Sequence, residues 1–502
     1  MKSWYSVRFA RWLWSLLWHR RTGWALVCFF SLITVLWQWE NWRSARELAA
    51  VRLRVVERLG TDDPTALMPP KVSDEDNYFA NPVLESWLRA KKPGSAAMEY
   101  VPPQDALLPA GFIRPALLEA KDGLPERLDL AGWLKTRGGG EAEPAAVVLA
   151  RELGDGNGLL DRLAEGLNKP FSMMKPGQRE ALEAAGDNPW NASLAVFNGL
   201  NDFYKQLGLH LRSAAAAGDA AKTLSTGLIM LRMSEGTARG GIIGCLVPMS
   251  LHGMTFDALH EALSQPVWTE EALGRLQVRL GQFDDLQHYQ SAHGQEILGM
   301  FFQLEYLRHH RPEMNDLIRN RSTQPWLWQR LAEDAFNTAI VCGPIGWHDA
   351  NVAFYAECML DQLGPPGPEA WMKAGAMAQM VRLRSTTENS WPNPRRFLGA
   401  IAIPNLGNIA ESAAANLFHR RCLIIACALE KHRLKNGGFP ASLDVVKEDL
   451  KLFSVNDPAR PEQLPCYRLE KDGYLLWSVG PDAKDGGGTM DEDWLWRMKR
   501  QP

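Results

Sequence analysis

The densest group of side chains able to hold an ion or move a proton lies near the carboxyl end, from Ser478 to Asp493. Asp482, Asp485, Asp491, Glu492 and Asp493 place five carboxylates around the three consecutive glycines Gly486, Gly487 and Gly488. Glycine lets the backbone turn sharply and aim its carbonyls inward. Hard cations such as Ca²⁺ take six to eight oxygens from carboxylates and carbonyls. Crowded negative charge is costly unless it is neutralised or solvated. A bound cation is one remedy, and an ordinary solvated acidic turn is the other.

Elsewhere the chemistry-bearing residues form no known constellation. There is no G-x-S-x-G, H-E-x-x-H or P-loop, and no G-x-G-x-x-G after a strand. His288, His293 and Glu296 fall on one expected helix, but the histidines are five apart and do not align as an i,i+4 zinc pair would. His260-Glu261 lacks a second histidine, and His309-His310 reads as a helix end, where a cation suits the dipole. Asp284-Asp285 reads as a solvated face. The seven cysteines are irregularly spaced with no C-x-x-C. Cys422 and Cys427 would diverge by about 140° on one helix, so free thiols are expected there. A catalytic site assembled from distant residues stays open. With no motif to assign, the expectation leans away from an enzyme.

The elements that would position the acidic loop are a short helix over Ser442–Leu450, a strand over Cys466–Glu470, a turn at Lys471-Asp472-Gly473 and a strand over Tyr474–Val479. A helix from about Asn408 to Lys435 precedes them and ends at Gly437-Gly438-Phe439-Pro440. From about Ala145 onward apolar residues recur at helical spacing. The expected helices are Leu153–Leu167, Pro176–Ala185, Ser193–Ala217, Ala220–Ser234, Gly241–Ala262, Glu270–Phe283, Gln287–His309 and Gln324–Cys342. Turn signals at Gly218-Asp219, Gly236 and Ser264-Gln265-Pro266 separate them. No strict repeat period is present, so the expected fold is mainly α, an irregular array of helical hairpins with a small carboxyl-terminal α+β module containing a β-hairpin.

At the amino end Thr22 to Trp39 carries no charged residue. Eighteen helical residues span about 27 Å, close to the roughly 30 Å hydrocarbon core of a bilayer. Trp24 stands at one end and Trp37, Trp39 and Trp42 at the other, as an aromatic belt requires. Lys2, Arg8, Arg11, Arg20 and Arg21 precede the run and favour a cytoplasmic amino terminus. Gln38-Trp39-Glu40-Asn41-Trp42 is a poor signal-peptidase site, which favours an anchor over a cleaved signal. Residues 4–18 mix arginines and aromatics as an interfacial helix does. Asn41–Leu59 reads as a helix leaving the membrane, stopped by Gly60 and Asp62-Asp63-Pro64. A Pro-rich spacer follows around Pro69-Pro70. The net charge of −3 across 502 residues gives no basic excess to recommend a nucleic-acid partner.

Residues 428–493 resemble the globular domain of the major pseudopilin of type II secretion systems. The matching pieces are Ala428-Leu429-Glu430, Asn436-Gly437-Gly438-Phe439-Pro440, Asp457-Pro458, Tyr467-Arg468 and the loop from Ser478. That resemblance implies calcium in the loop, with Asp482, Asp491 and Asp493 as side-chain ligands and the Val479 carbonyl as a backbone ligand. The chain departs from the pattern at Ala483, where the family usually has Gly, and at Ala459-Arg460, where it has Trp-Gly. Polar residues, not an apolar helix, precede Phe397–Asn405, so pilus assembly is not implied.

More of the chain resembles a family of uncharacterised membrane-anchored bacterial proteins. They share a basic amino-terminal helix, a spacer like Pro69-Pro70 followed by Asp74-Glu75-Asp76-Asn77-Tyr78-Phe79, a helical middle, and a terminal hairpin like Tyr474 to Asp482. The resemblance implies architecture and no assigned activity.

The organisation expected is a cytoplasmic basic/aromatic segment (1–21), a transmembrane helix (22–39), a juxtamembrane helix and spacer (40–76), a mainly helical exported domain (77–396) and a pseudopilin-like module (397–502). The expectation for function is a single-pass inner-membrane protein with its bulk in the periplasm, binding protein partners in the envelope as an interaction or scaffold component. The alternatives are an envelope-polymer hydrolase using paired carboxylates and a component associated with a secretion pseudopilus.

Overall fold

The computed structural model describes residues 20–63, 65–89, 107–108, 112–119, 121–136, 143–154, 158–174, 183–184, 186, 198–236, 241–283, 285–310, 338, 342–363, 393–403, 407–480, 484–489 and 493–500. The amino-terminal basic segment before Arg20, most of the expected helices Pro176–Ala185 and Gln324–Cys342, and Asp284, Asp482 and Asp491 lie outside them. The described chain is mainly helical, with one long apolar amino-terminal helix and a small three-stranded antiparallel sheet at the carboxyl end. It divides into two compact units: residues 1–62, 300–360 and 383–404 form the first, and 63–299, 361–382 and 405–502 the second. The seven cysteines are free thiols.

The first unit begins with the anchor helix, Arg20–Leu59, forty residues without a break. No proline interrupts it and its only glycine is Gly23, so nothing in the sequence offers a kink. Its apolar half is long and apolar enough to cross a membrane, and none of that stretch is buried. Trp24 is 63% exposed, Phe29 56% and Phe30 61%, on different sides of the helix. Farther along the character changes. Ser44, Leu48, Val51 and Val55 are buried at three- and four-residue steps, the stripe of a helix packed on one face. Arg52 pairs with Glu305 at 3.5 Å and Arg54 with Glu357 at 3.2 Å. Arg395 binds both Glu40 and Glu47. Gly60 ends the helix with φ of +79°, a left-handed conformation that suits glycine, and its N–H returns to the Val56 carbonyl at 2.8 Å.

Two helices of this unit meet other backbone at glycine. Helix Ile345–Leu363 carries Gly346 in its first turn, where an added Cβ would lie 2.7 Å from the Cα of Asn41 and from the carbonyl oxygen of Glu40. Helix Phe397–Ala402 brings Gly399 so close that a Cβ would lie 2.6 Å from the Asn351 carbonyl oxygen, and the Gly399 N–H donates to the Asn351 side chain at 3.0 Å.

In the second unit, helices Asn198–Ala216 and Ala220–Ser234 are joined at Gly218, with φ of +82°, and Asp219. The Asp219 side chain caps the second helix by accepting from the Lys222 N–H at 3.0 Å. Helix Gly241–Leu263 follows, then Glu270–Leu280, capped by Thr269, whose hydroxyl accepts from Ala272 N–H at 3.2 Å. The long helix Gly407–Asn436 lies against both of these helices. The expected helix over Leu153–Leu167 differs: it is two, Ala145–Leu153 and Leu159–Ala164. The cause is Gly154 (φ +60°) and Gly158 (φ +70°), whose left-handed backbone a helix cannot continue through.

One apolar core joins Phe203, Leu207 and Leu211 to Ile229, Leu259, Leu273, Leu276, Leu423 and Ile425, and extends to Tyr474, Leu476 and Trp496. Besides the short pair β1 (Leu117–Leu118) and β2 (Arg127–Leu128), the unit contains β3 (Cys466–Glu470), β4 (Gly473–Ser478) and β5 (Trp494–Lys499). β4 is central and buried throughout, with Cys466 opposite Trp477 on one side and Leu476 opposite Trp496 on the other. The third strand, β5, was not anticipated from the sequence. It returns antiparallel after the acidic loop and so fixes both ends of that loop to one sheet.

Candidate functional site

Asp257, His260 and Glu261 stand at i, i+3 and i+4 on helix Gly241–Leu263, so their side chains leave one side of it. Each meets a different environment. Glu261 is buried and pairs with the buried Arg212 on helix Asn198–Ala216, Nε to Oε2 2.7 Å, while its other oxygen accepts from the Leu128 N–H at 3.2 Å. Burial pushes the Glu261 carboxyl up, and the Arg212 guanidinium pulls it back toward the charged form. This pair joins the helix to β2.

His260 stacks on Trp496 of β5 at 3.9 Å between ring centroids and 11° between planes, with Nε2 2.9 Å from the Arg497 carbonyl oxygen. Burial pushes its imidazole down to about 3, against the opposing pull of that carbonyl and with a small push from His419. The ring is therefore neutral at ordinary pH, with Nε2–H donating to the carbonyl. Arg497 is itself held by the backbone before β2: its N–H donates to the Gly123 carbonyl at 2.8 Å and its guanidinium to the Asp122 carbonyl at 2.7 Å.

Asp257 is different, because it has no hydrogen-bond partner among the described residues. It lines two neighbouring cavities. One, about 260 Å³, is walled by Phe256, Trp494, Trp496 and the imidazoles of His260 and His419. Burial pushes the His419 imidazole down to about 4. The other, about 350 Å³, is walled by Leu117, Leu128, Leu209, Met230 and Met254, with Glu126, Lys205 and Arg212 among its polar groups. Glu126 likewise makes no hydrogen bond among the described residues. Burial is the main cause that pushes Asp257 up to about 6; Arg212 works against this and the Glu126 charge adds to it. Two carboxylates thus face one largely apolar cavity, with Asp257 poised to hold or release a proton near neutrality. A few convergent polar groups in an apolar concavity, one with a shifted pKa, is the usual form of a small-molecule site.

No motif flagged this site. Glu126 precedes β2, Arg212 sits on a different helix and Asp257 on a third element, so their proximity is a product of packing. The one local trace was His260-Glu261.

The acidic loop is described in part. Val479 is buried at the end of β4. Both oxygens of Asp493 accept backbone N–H groups: Oδ1 from Gly486 at 3.2 Å, and Oδ2 from Gly488 at 2.7 Å and Thr489 at 3.2 Å. Asp485 accepts from the Trp477 indole N–H at 2.9 Å and from the Gly487 N–H at 2.9 Å, and these bonds hold its carboxyl below the usual range. The carboxylates of Asp485 and Asp493 are thus met in part by the loop's own amides. Oδ1 of Asp493 keeps a lone pair for a cation; Asp482 and Asp491 fall outside the described residues. His293 is buried beside Tyr289, with rings 5.7 Å apart, and His288 leans on Phe283 at 5.5 Å. Among the described residues, no three of His, Cys, Asp and Glu are grouped to hold a metal.

No protein-family model, curated protein or solved structure matches the chain.

Proposed function

We propose that this is a single-pass membrane-anchored envelope protein. Its amino terminus is cytoplasmic, the rest of the chain is periplasmic, and the body, an irregular array of helical hairpins, acts by binding a partner or ligand. One observation carries this reading. No residue in the apolar half of the anchor helix is buried, while the half beyond Glu40 has a buried stripe. A helix covered by a protein partner needs one apolar face; a helix apolar all round suits lipid. The test is alkaline carbonate extraction of membranes, combined with a carboxyl-terminal alkaline phosphatase fusion. The expected result is a chain that stays in the pellet with an active reporter. A chain in the supernatant, or an inactive phosphatase on a fusion that is made in full, rejects the proposal.

A second reading has its own support. Asp257 and Glu126 share a cavity, and the first is held near pH 6. An acid held near neutrality beside a second carboxyl group is equipment for acid–base hydrolysis. If the body cleaves an envelope polymer, Asp257→Asn and Glu126→Gln each abolish turnover while leaving the fold intact. Activity surviving both substitutions removes this reading.

Calcium belongs to the proposal at the loop alone, held by Asp482, Asp491, Asp493 and the Val479 carbonyl. Its support is the likeness to pseudopilins and the remaining lone pair on Asp493. Millimolar calcium is expected to raise Tm in the wild type and not in Asp482→Ala.

A further inference from the structure

The anchor helix presents one face from end to end. Its buried residues Val55, Val51, Leu48 and Ser44 succeed one another at three- and four-residue steps. The same register, carried toward the amino terminus, passes through Glu40, Trp37 and Ile33. Above Glu40 this face is buried. Below it the face forms one wall of an open apolar groove of about 560 Å³, contributed by Ile33, Leu36 and Trp37. The other wall is Cys342, Pro344 and Trp347. The Gly346 N–H donates to the Asn41 side chain at 2.8 Å and keeps the second wall against the helix.

The groove has a polar end and an apolar end. Glu40, bound by Arg395, closes the upper end. Ile33 lies seven residues lower, about 10 Å at 1.5 Å per residue. Ile33 and Leu36 also belong to the bare apolar surface of the helix, being 38% and 55% exposed. The slot is therefore continuous with the surface that lipid would cover, and its polar rim sits where headgroups would begin.

We propose that this groove holds one acyl chain of a phospholipid from the leaflet facing the body, with the headgroup at the level of Glu40 and Arg395. The proposal rests on the membrane-anchor reading. Its physical basis is that an open apolar slot at that depth is filled by whatever surrounds it, and lipid does; a chain seated between two walls gains packing contact on both sides, since lipid tails are already in an apolar medium. A bound chain would make the lipid a resident component and not an exchanging neighbour.

The test uses the full chain, purified from membranes and reconstituted into nanodiscs of phosphatidylethanolamine and phosphatidylglycerol, then released for native mass spectrometry. One phospholipid retained per wild-type chain is expected. Ile33→Trp fills the slot from the helix and Cys342→Phe fills it from the opposite wall; each should lower retention about tenfold. Leu32→Trp changes a helix residue outside the slot and should retain lipid as the wild type does. A wild-type chain that carries no lipid, or slot-filling variants that carry as much as the wild type, overturns the proposal. Carbonate extraction separates the two readings. A chain that stays in the pellet without retaining lipid loses only the groove, whereas a chain that washes off loses the anchor and the groove together.

Discussion

The backbone N–H of Gly346 donates to the side-chain oxygen of Asn41 at 2.8 Å, across a contact that leaves no room for a side chain at position 346. The atoms in the way are the Cα of Asn41 and the carbonyl oxygen of Glu40, both backbone. Rigid backbone cannot rotate aside as a flexible side chain can. Gly346→Ala is therefore expected to destabilise the first unit by about 1–3 kcal/mol. Asn41→Ala loses the hydrogen bond without a clash and should cost about 1 kcal/mol. Limited proteolysis of the detergent-solubilised chain checks both, with faster cleavage expected in Gly346→Ala.

Asp257 predicts a pH-dependent gain on removing a charge. Its carboxyl is raised from 3.8 to about 6, so the folded state holds the proton more tightly than the unfolded chain. The associated stability is complete below about pH 4 and is lost as pH rises through about 6, where ionisation costs on the order of 3 kcal/mol. Asp257→Asn should raise Tm by several degrees at about pH 8 and change it little at about pH 4. Equal shifts at both pH values would count against a carboxyl held in an apolar site.

The neighbouring imidazoles act in the opposite direction. His419 is pushed from 6.5 down to about 4 by burial, so its neutral form supports the fold above about pH 6.5 and that support is lost as pH falls toward 4. Part of the ring faces the cavity, so the loss is on the order of 2 kcal/mol. His419→Asn should flatten the acid side of the stability profile, measured as urea midpoints between about pH 7 and 4.5. A profile as steep as the wild type's would show that this ring is not the titrating group.

Asp493 should matter to the loop with or without an ion. It alone accepts from Gly486, Gly488 and Thr489, so Asp493→Ala frees three N–H groups to water and costs about 1–3 kcal/mol. Hydrogen exchange should quicken at those amides and be unchanged in helix Gly407–Asn436. Added calcium should not restore them.

What the sequence could report was periodic or local. Ala220–Ser234 begins and ends where the apolar spacing and the Gly218-Asp219 turn place it, and Cys466–Glu470 matches the expected strand residue for residue. Glycine overrode periodicity at Gly154 and Gly158. The long-range partners could not be read. Trp496 was one of several tryptophans near the end of the chain until β5 paired with β4 and His260 stacked on it. Glu126 and Asp257 are brought together by the pairing of β1 with β2, the Glu261 bond to Leu128 and the Arg497 bonds to Asp122, Gly123 and His260, which no spacing rule encodes. The loop carboxylates were legible as a cluster. Their use of backbone amides was not, because it depends on how the glycines turn.

The unbroken course of Arg20–Leu59 has a mechanical consequence. Val55 lies sixteen residues past Trp39, about 24 Å farther along the same shaft. With no joint between them, a change in tilt at the lipid end would be delivered as a sideways sweep at the other, growing with distance. On the proposed placement the first unit behaves as the arm of a lever, and bilayer thickness becomes a mechanical input that the arm transmits.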